Sequence, residues 1–269
     1  MLSGLLLIKI AVTLILVVGL SVIAEHMSAR FAGILAGMPH GLAILLFFIG
    51  TEQGVAFAAE AAQAASGSIA ANAAHALGFV LLARGTGWAA ALRTATGAVT
   101  AYALAAALIR ALAPGAFAGA LISLAALTGL AWAMRRFPDP GRVKRPRATP
   151  GELALRAALA AGIVLAITAA AGLVGPRWAG LFSGFPVVTL PVLLILQARH
   201  GPELVSGLVK AYPWGLTALI FYTLVVAWTF PRLGIGLGTL AGLALSIVWI
   251  LALNGIRARL LMHHKSRLK

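Results

Sequence analysis

The sequence predicts an all-α polytopic membrane protein of about nine transmembrane helices, arranged as two inverted-topology four-helix repeats joined by one connecting helix. Hydrophobic residues make up 61% of the 269 positions and charged residues only 10%, whereas soluble domains average about 45–50% and about 25%. The apolar runs are about 20 residues long, which suits membrane-spanning helices rather than the roughly 10-residue strands of a barrel.

Nine apolar runs can cross the hydrocarbon core, and short connections separate them. The predicted spans are 4–24, 31–50, 55–83, 88–112, 116–134, 153–174, 178–198, 204–229 and 232–253. They divide the chain into a first repeat, a connecting helix, a basic linker, a second repeat and a basic tail, at 1–112, 113–134, 135–151, 152–253 and 254–269. The third span is the most polar, so we expect it to be shielded inside the bundle.

The distribution of basic residues sets the predicted orientation. Lys and Arg concentrate in the 135–151 linker and the 254–269 tail, and short basic segments beside spans are typical of the cytoplasmic side. Four spans, an even number, separate these two segments, so both can lie in the cytoplasm and the C-terminus is predicted inside. Five spans precede the linker, so the N-terminus is predicted outside. The net charge of +15 then indicates contact with anionic lipids rather than with nucleic acid.

An internal repeat predicts the inverted architecture. Residues 30–39 read RFAGILAGMP and residues 177–186 read RWAGLFSGFP, so Arg, Ala, both Gly and Pro coincide at a shift of 147 positions. The same shift pairs further polar residues: Lys9 with Arg156, Gln63 with Lys210, and His75 with Tyr222. Because five spans separate equivalent points, the two repeats cross the membrane in opposite senses, as in many secondary transporters.

Glycines and prolines in spans two and seven mark the predicted binding site. Glycines recur at one-turn spacing on one face of each span, at Gly33, Gly37 and Gly41, then at Gly180 and Gly184. Such faces let helix backbones approach closely, and Pro39 and Pro186 each remove a backbone hydrogen bond near mid-span. These features fit either simple packing notches and kinks, or two interrupted helices that cross with both prolines close together.

Polar residues at membrane depth complete the site, because unpaired polar side chains are costly in hydrocarbon. The predicted substrate-binding residues are Pro39, His40, Pro186, Thr189, Gln63, Lys210, Asn72, His75 and Tyr222. His40, beside the kink, is suited to carry a coupling proton, whereas Asn72 and His75 serve equally well as structural hydrogen-bonding groups between helices.

Three charged residues inside spans are candidate gate or charge residues: Lys9, Arg156 and Glu60. We expect Glu60 to pair with Lys9 or to reach water. The alternative for the two cations is that their long side chains extend to the membrane interface.

The sequence carries no motif of a common enzyme. The absence of cysteine excludes disulfides, thiolate catalysis and cysteine-ligated metals, and six acidic residues are too few for a carboxylate metal cage. Nucleophile-elbow, zinc-protease, P-loop and dinucleotide-binding patterns are also absent. We therefore expect neither enzymatic activity nor a cofactor nor a bound metal.

The Gly-x-x-x-Gly-x-Pro motif, followed by an apolar run that ends in GTEQG at residues 50–54, resembles the GlpM-like bacterial inner-membrane proteins. The second copy ends in QARHG at residues 197–201, so the chain is similar to a duplicated member of that family. The resemblance covers part of each half, and it implies a multi-pass protein of the bacterial inner (cytoplasmic) membrane.

Together these features predict a secondary transporter that works by alternating access on a small organic anion, an anionic metabolite or a lipid head group, with proton coupling as an option. The main alternative is a non-transporting scaffold or assembly subunit for envelope or lipid enzymes, and a passive channel comes third. A polar surface that reaches the centre favours transport, whereas a dry, packed centre favours the scaffold. The sequence leaves homo-oligomerisation open.

Overall fold

The computed structural model describes residues 2–26, 34–35, 38–137 and 147–266, and within these ranges the chain is almost entirely helical and contains no strand. The predicted all-α class is confirmed. The helices are α1 (Leu2–Glu25), α2 (His40–Gln53), α3 (Val55–Leu82), α4 (Trp88–Leu112), α5 (Ala116–Ala133), α6 (Pro150–Val174), α7 (Pro176–Ser183), α8 (Thr189–His200) and α9 (Pro202–Ser266), and a short 3₁₀ turn follows α5 at Met134–Arg136.

Six of the described helical stretches are long and apolar enough to cross a membrane, so the chain is a multi-pass α-helical membrane protein. They are Leu6–Ile23, Val55–Leu82, Trp88–Leu112, Ala116–Arg136, Pro150–Val174 and Pro202–Gly255. The last stretch covers two of the predicted spans, and α2, α7 and α8 are too short to qualify on their own. The count of nine spans stays a prediction.

A backbone break divides α9 into two arms. Gly234 has φ 76° and ψ 173°, a conformation that glycine adopts far more readily than other residues. Across this break, Trp249 Nε1 donates a hydrogen bond to Thr217 Oγ1 at 2.9 Å, which requires the chain to fold back. Residues 202–233 (α9a) and 235–266 (α9b) therefore form an antiparallel pair.

The turns between helices recur at the 147-residue shift found in the sequence. Gly54 separates α2 from α3 with φ 91°, and Gly201 separates α8 from α9a with φ 88°. In the same way, Gly87 precedes α4 with φ 90° and Gly234 precedes α9b with φ 76°. The two halves of the chain thus place equivalent glycine turns before equivalent helices.

Helix α3 lies at the centre of the bundle. The most apolar 18-residue window of α3 is 67% buried, whereas the corresponding windows of the other five stretches are only 22–33% buried. It packs against α4, α5, α7 and α9, and its buried face carries Ser66, Ser68, Asn72 and His75 among alanines. The predicted shielding of this span is confirmed for these four polar side chains, which face protein instead of lipid, whereas Glu60 and Gln63 near its start are exposed.

Charged residues gather at opposite ends of α3. Near its start, Lys9 Nζ lies 2.5 Å from Glu52 Oε1. Beyond its end, Arg199 Nε lies 3.6 Å from Glu152 Oε1. The first end holds residues predicted to lie outside and the second holds residues predicted to lie inside. Which end faces the cytoplasm stays a prediction.

Candidate functional site

The seventh predicted span is an interrupted helix. Helix α7 ends at Ser183 and α8 begins at Thr189. Helix α7 packs beside Ala61 near the start of α3, and Ala198 of α8 accepts a hydrogen bond from the Gly87 amide just beyond the end of α3, at 2.9 Å. Both pieces therefore run along α3 in one direction, so the interrupted-helix interpretation is confirmed for this span.

The second predicted span shows a turn at the equivalent place. Pro39 forms the turn and α2 begins at His40. Residues 27–33 and 36–37, which include Gly33 and Gly37, lie outside the described residues. The predicted interruption of this span is therefore described only on its α2 side.

The two breaks lie side by side. A Cβ placed on Gly41 would lie 3.7 Å from Val188 Cγ2. A cavity of about 20 Å³ lies between the breaks, which gives room for about one water. Its polar and break-forming lining comprises His40, Gly41, Asn72, Gly184, Pro186, Thr189 and Tyr212. Four predicted site residues (His40, Asn72, Pro186 and Thr189) thus meet here, and Pro39 adjoins them.

Three side chains tie the second break to its neighbours. Asn72 Nδ2 donates to the Gly184 carbonyl at 3.0 Å, which satisfies an acceptor that the interruption leaves outside a regular helix. Tyr212 Oη lies 3.2 Å from Asn72 Oδ1 and 3.2 Å from Thr189 Oγ1. Because a phenol has one proton, Tyr212 can donate to Asn72 and accept from Thr189. The network joins α3, the break, α8 and α9a.

His75 lies one turn beyond Asn72 and is fully buried, at 0% exposure. Neither of its ring nitrogens has a hydrogen-bond partner among the described residues. Its ring lies 6.0 Å from that of Phe79 and 6.4 Å from that of Phe185, measured between centroids. Leaving buried polar atoms unpaired costs free energy, so His75 places unused hydrogen-bonding capacity beside the second break.

Three other predicted site residues do not reach this cavity. Gln63 is exposed near the start of α3. Lys210 Nζ donates to the Phe137 carbonyl at 2.9 Å, at the opposite end of the bundle. Tyr222 is buried against Gly242 between α9a and α9b. These residues entered the prediction through repeat pairing, which relates positions in two halves without bringing them together.

The charged candidates also lie away from the breaks. Lys9 is 5% exposed, and its Nζ contacts Thr168 Oγ1 at 2.8 Å as well as Glu52. Of the two alternatives for Glu60, the structure shows the one in which it reaches water: its side chain is 49% exposed, and its Oε1 lies 3.4 Å from Arg177 Nε rather than near Lys9. Arg156 lies half-buried on α6.

The glycine face of span seven packs against α3 rather than against span two. A Cβ on Gly180 would overlap the Ala61 carbonyl oxygen, and a Cβ on Gly184 would lie 2.5 Å from Ser68 Cβ. Helix α3 accommodates this face because its alanines and serines leave room for a backbone. The second span approaches the break itself, where a Cβ on Gly41 would lie 3.8 Å from Val187 Cβ, and the close approach of Pro39 and Pro186 stays a prediction.

Sequence reasoning missed Tyr212 and Tyr102. Tyr102 Oη donates to the Leu181 carbonyl, and its ring packs edge-on against Phe185 at 5.1 Å between centroids. Neither residue has a polar repeat partner, and the repeat was the criterion that selected Tyr222. The available signal was a phenol in the middle of an apolar run, where its hydroxyl needs a partner.

Comparison of the chain with protein-family models, with curated proteins and with solved structures found no match in any of the three. The resemblance to GlpM-like proteins therefore stays a prediction. The geometry of the two breaks is the basis for the function proposed next.

Proposed function

We propose that the chain is a secondary membrane transporter that moves a small organic anion, an anionic metabolite or a lipid head group by alternating access. One observation carries the proposal: two helix N-termini meet at the cavity between the breaks. Helix α2 begins at His40 and α8 begins at Thr189, and no described side chain caps either end. The N-terminus of a helix carries partial positive charge.

This arrangement suits an anionic ligand. The cavity lining described above carries no formal charge when His40 is neutral, so the helix ends supply the electrostatic preference. Interrupted helices at binding sites are a recurring construction in secondary transporters. Backbone outside a helix is tolerated at membrane depth only where protein covers it or where it lines a cavity. His40 adds a group that can exchange a proton with the ligand.

The proposal includes an inverted pair of repeats in nine spans. Span two includes α2, span seven consists of α7 and α8, and α9 supplies the last two spans. Support comes from the glycine turns that recur at the 147-residue shift and from the opposite ends at which the charged pairs lie. An inverted pair lets one fold open to either side of the membrane.

A non-transporting scaffold is the second candidate, and one observation favours it. The cavity between the breaks is only about 20 Å³ in volume, and a scaffold needs no path through its centre. For a transporter, this small volume corresponds to a closed conformation in which the substrate site is not yet formed. The two functions can be distinguished in lipid vesicles, because a transporter lets anions enter the vesicle and a scaffold does not.

The test is anion uptake by proteoliposomes that contain the purified chain. Inorganic phosphate, succinate, citrate and glycerol 3-phosphate serve as probes, each with and without a proton gradient. We expect uptake of at least one probe above that of empty vesicles, and a loss of about tenfold in His40→Ala and Thr189→Val, because each removes a polar group worth about 1.5 kcal/mol. His26→Ala is the control, since His26 is exposed. Uptake no faster than in empty vesicles for every probe, or equal uptake by all variants, contradicts the proposal.

A further inference from the structure

A second polar pocket lies at the end of the bundle near the start of α3, away from the breaks. Its volume is about 250 Å³. Glu60 and Gln63 of α3, Arg110 of α4 and Arg177 of α7 contribute its polar side chains, and the 113–115 turn closes one side. It shares no lining residue with the cavity between the breaks.

The pocket contains two arginine side chains and one carboxylate. Arg177 Nε lies 3.4 Å from Glu60 Oε1, and both side chains are about half exposed, at 56% and 49%. Arg110 Nε is buried and donates a hydrogen bond to no acceptor in the part of the chain that the structure describes. Two guanidinium groups therefore face one carboxylate, and one of them has a donor left over.

The backbone adds to the positive character of the pocket. Ala113 ends α4 in a left-handed conformation with φ 43°, and the chain turns at Pro114 and Gly115 into α5. Gly115 lines the pocket, and α5 starts there without a side-chain cap from the described residues. The N-terminus of α5 therefore lies at the edge of the pocket, and its partial positive charge favours a negatively charged ligand, as the guanidinium groups do.

We propose that Arg110 and Arg177, with Gln63 as a neighbouring donor, bind the oxygens of a carboxylate or phosphate group in this pocket. Arginine presents planar, paired donors that match these oxygens. Glu60 competes with the ligand for Arg177, so the ligand can be released when Glu60 takes its place. The ligand group belongs either to a soluble anion or to a phospholipid head group, since both present the same chemistry.

The position of the pocket makes it an entry site for the transporter proposed above, and to that extent the inference rests on that function. Leu181 lines the pocket, and its carbonyl accepts the hydrogen bond of Tyr102, whose ring packs on Phe185 in the second break. Leu181 and Tyr102 therefore connect the lining of the pocket to the second break.

The sequence of the other half carries donors at the equivalent positions. The 147-residue shift relates Arg177 to Arg30, Gln63 to Lys210, and Arg110 to Arg257. All three equivalents are cationic. This is the pattern expected if each half contributes an anion-attracting end to one path.

The experiment measures binding without transport, on the full chain in a neutral detergent. The unfolding midpoint is recorded against inorganic phosphate concentration, with sodium chloride holding ionic strength constant. We expect Arg110→Gln and Arg177→Gln each to raise the half-effective phosphate concentration by about tenfold, the value of one hydrogen bond to a charged group. Glu60→Gln is expected to lower it, and a gain in affinity cannot come from misfolding.

Two control variants separate this site from other charges and from the breaks. Arg232→Gln removes an exposed arginine whose Nη1 donates to the Trp228 carbonyl at 2.7 Å, and it should behave like the parent chain. Thr189→Val changes the cavity between the breaks and not this pocket, so any change in its phosphate response reports binding in that cavity. The chain can therefore bind phosphate in this pocket without being a transporter, and it can be a transporter without binding phosphate in this pocket.

A second arm identifies the source of the ligand group. The same variants are placed in nanodiscs of phosphatidylcholine alone or mixed with phosphatidylglycerol. A midpoint shift that depends on Arg110 and Arg177 with phosphatidylglycerol but not with phosphate assigns the site to lipid, and the converse assigns it to a soluble anion. The proposal is overturned if neither ligand distinguishes the two arginine variants and Glu60→Gln from the parent chain.

Discussion

The contact between α7 and α3 allows a sharp test through Gly180→Ala. The added Cβ would lie 2.8 Å from the Ala61 carbonyl carbon and 2.9 Å from Ala64 Cβ. Carbon atoms prefer separations of about 3.5–4.0 Å. Neither neighbour is the tip of a flexible side chain, so α7 has to move outward by about 1 Å. Overpacking of this kind costs about 1–3 kcal/mol, and we expect a value at the upper end because a backbone carbonyl is displaced.

The matched control is Gly162→Ala. Gly162 lies within α6, and a Cβ there meets no described atom within 4 Å. Replacing a mid-helix glycine by alanine stabilises a helix by about 0.5–1 kcal/mol, so this variant is expected to be as stable as the parent chain or more so.

The assay is unfolding of both variants by sodium dodecyl sulfate in mixed micelles, followed by tryptophan fluorescence. We expect the free energy of unfolding of Gly180→Ala to lie about 3 kcal/mol below that of Gly162→Ala, because both glycines are helical and gain alike from alanine, while only Gly180→Ala carries the overpacking cost. Equal stability of the two variants would show that α7 does not pack on α3 through its glycine face.

Three further predictions follow from individual contacts. Asn72→Ala removes the donor to the Gly184 carbonyl and is expected to lower the free energy of unfolding by about 1–3 kcal/mol. The control Thr100→Ala, at an exposed position, should change it little, and equal stability of the two variants would refute the network. Lys9→Gln removes the ion pair with Glu52 and should cost about 1 kcal/mol, because Glu52 reaches water. The Lys9→Gln/Glu52→Gln double variant should lose less stability than the two single variants together, and strict additivity would mean that the pair is not coupled. A single cysteine at position 144 should resist an impermeant thiol reagent in intact cells while one at Glu52 reacts, and the reverse pattern would invert the proposed topology.

Burial of α3 could be predicted because the cost of exposing polar side chains to hydrocarbon depends only on which residues the helix contains. Asn72 and His75 stand in an alanine-rich run, and hydrocarbon cannot satisfy their polar atoms. The interruption of span seven was likewise predictable, since Pro186 removes a hydrogen bond wherever the helix is placed. The glycine turns at Gly54 and Gly201 follow from the repeat.

The partners of these groups could not be predicted, because they depend on how helices are arranged in space. Helical periodicity identifies the face that holds Gly180 and Gly184, but not the neighbour that packs on it. Lys9 has Glu52 and Glu60 at similar distances along the chain, and only the packing of α1 against α6 decides between them. Tyr212 contacts Asn72, which lies 140 positions away in the sequence. No regular residue spacing predicts a contact over such a distance along the chain.

Access to the cavity between the breaks tests the central claim most directly. The chain has no cysteine, so Thr189→Cys supplies a single thiol at this site, and Leu193→Cys supplies a matched control in the fully buried core at 0% exposure. Impermeant thiol reagents are applied to right-side-out and to inside-out vesicles. Alternating access predicts that Thr189→Cys reacts in both preparations and Leu193→Cys in neither. A Thr189→Cys thiol that reacts from one side only, or from neither, would contradict the account.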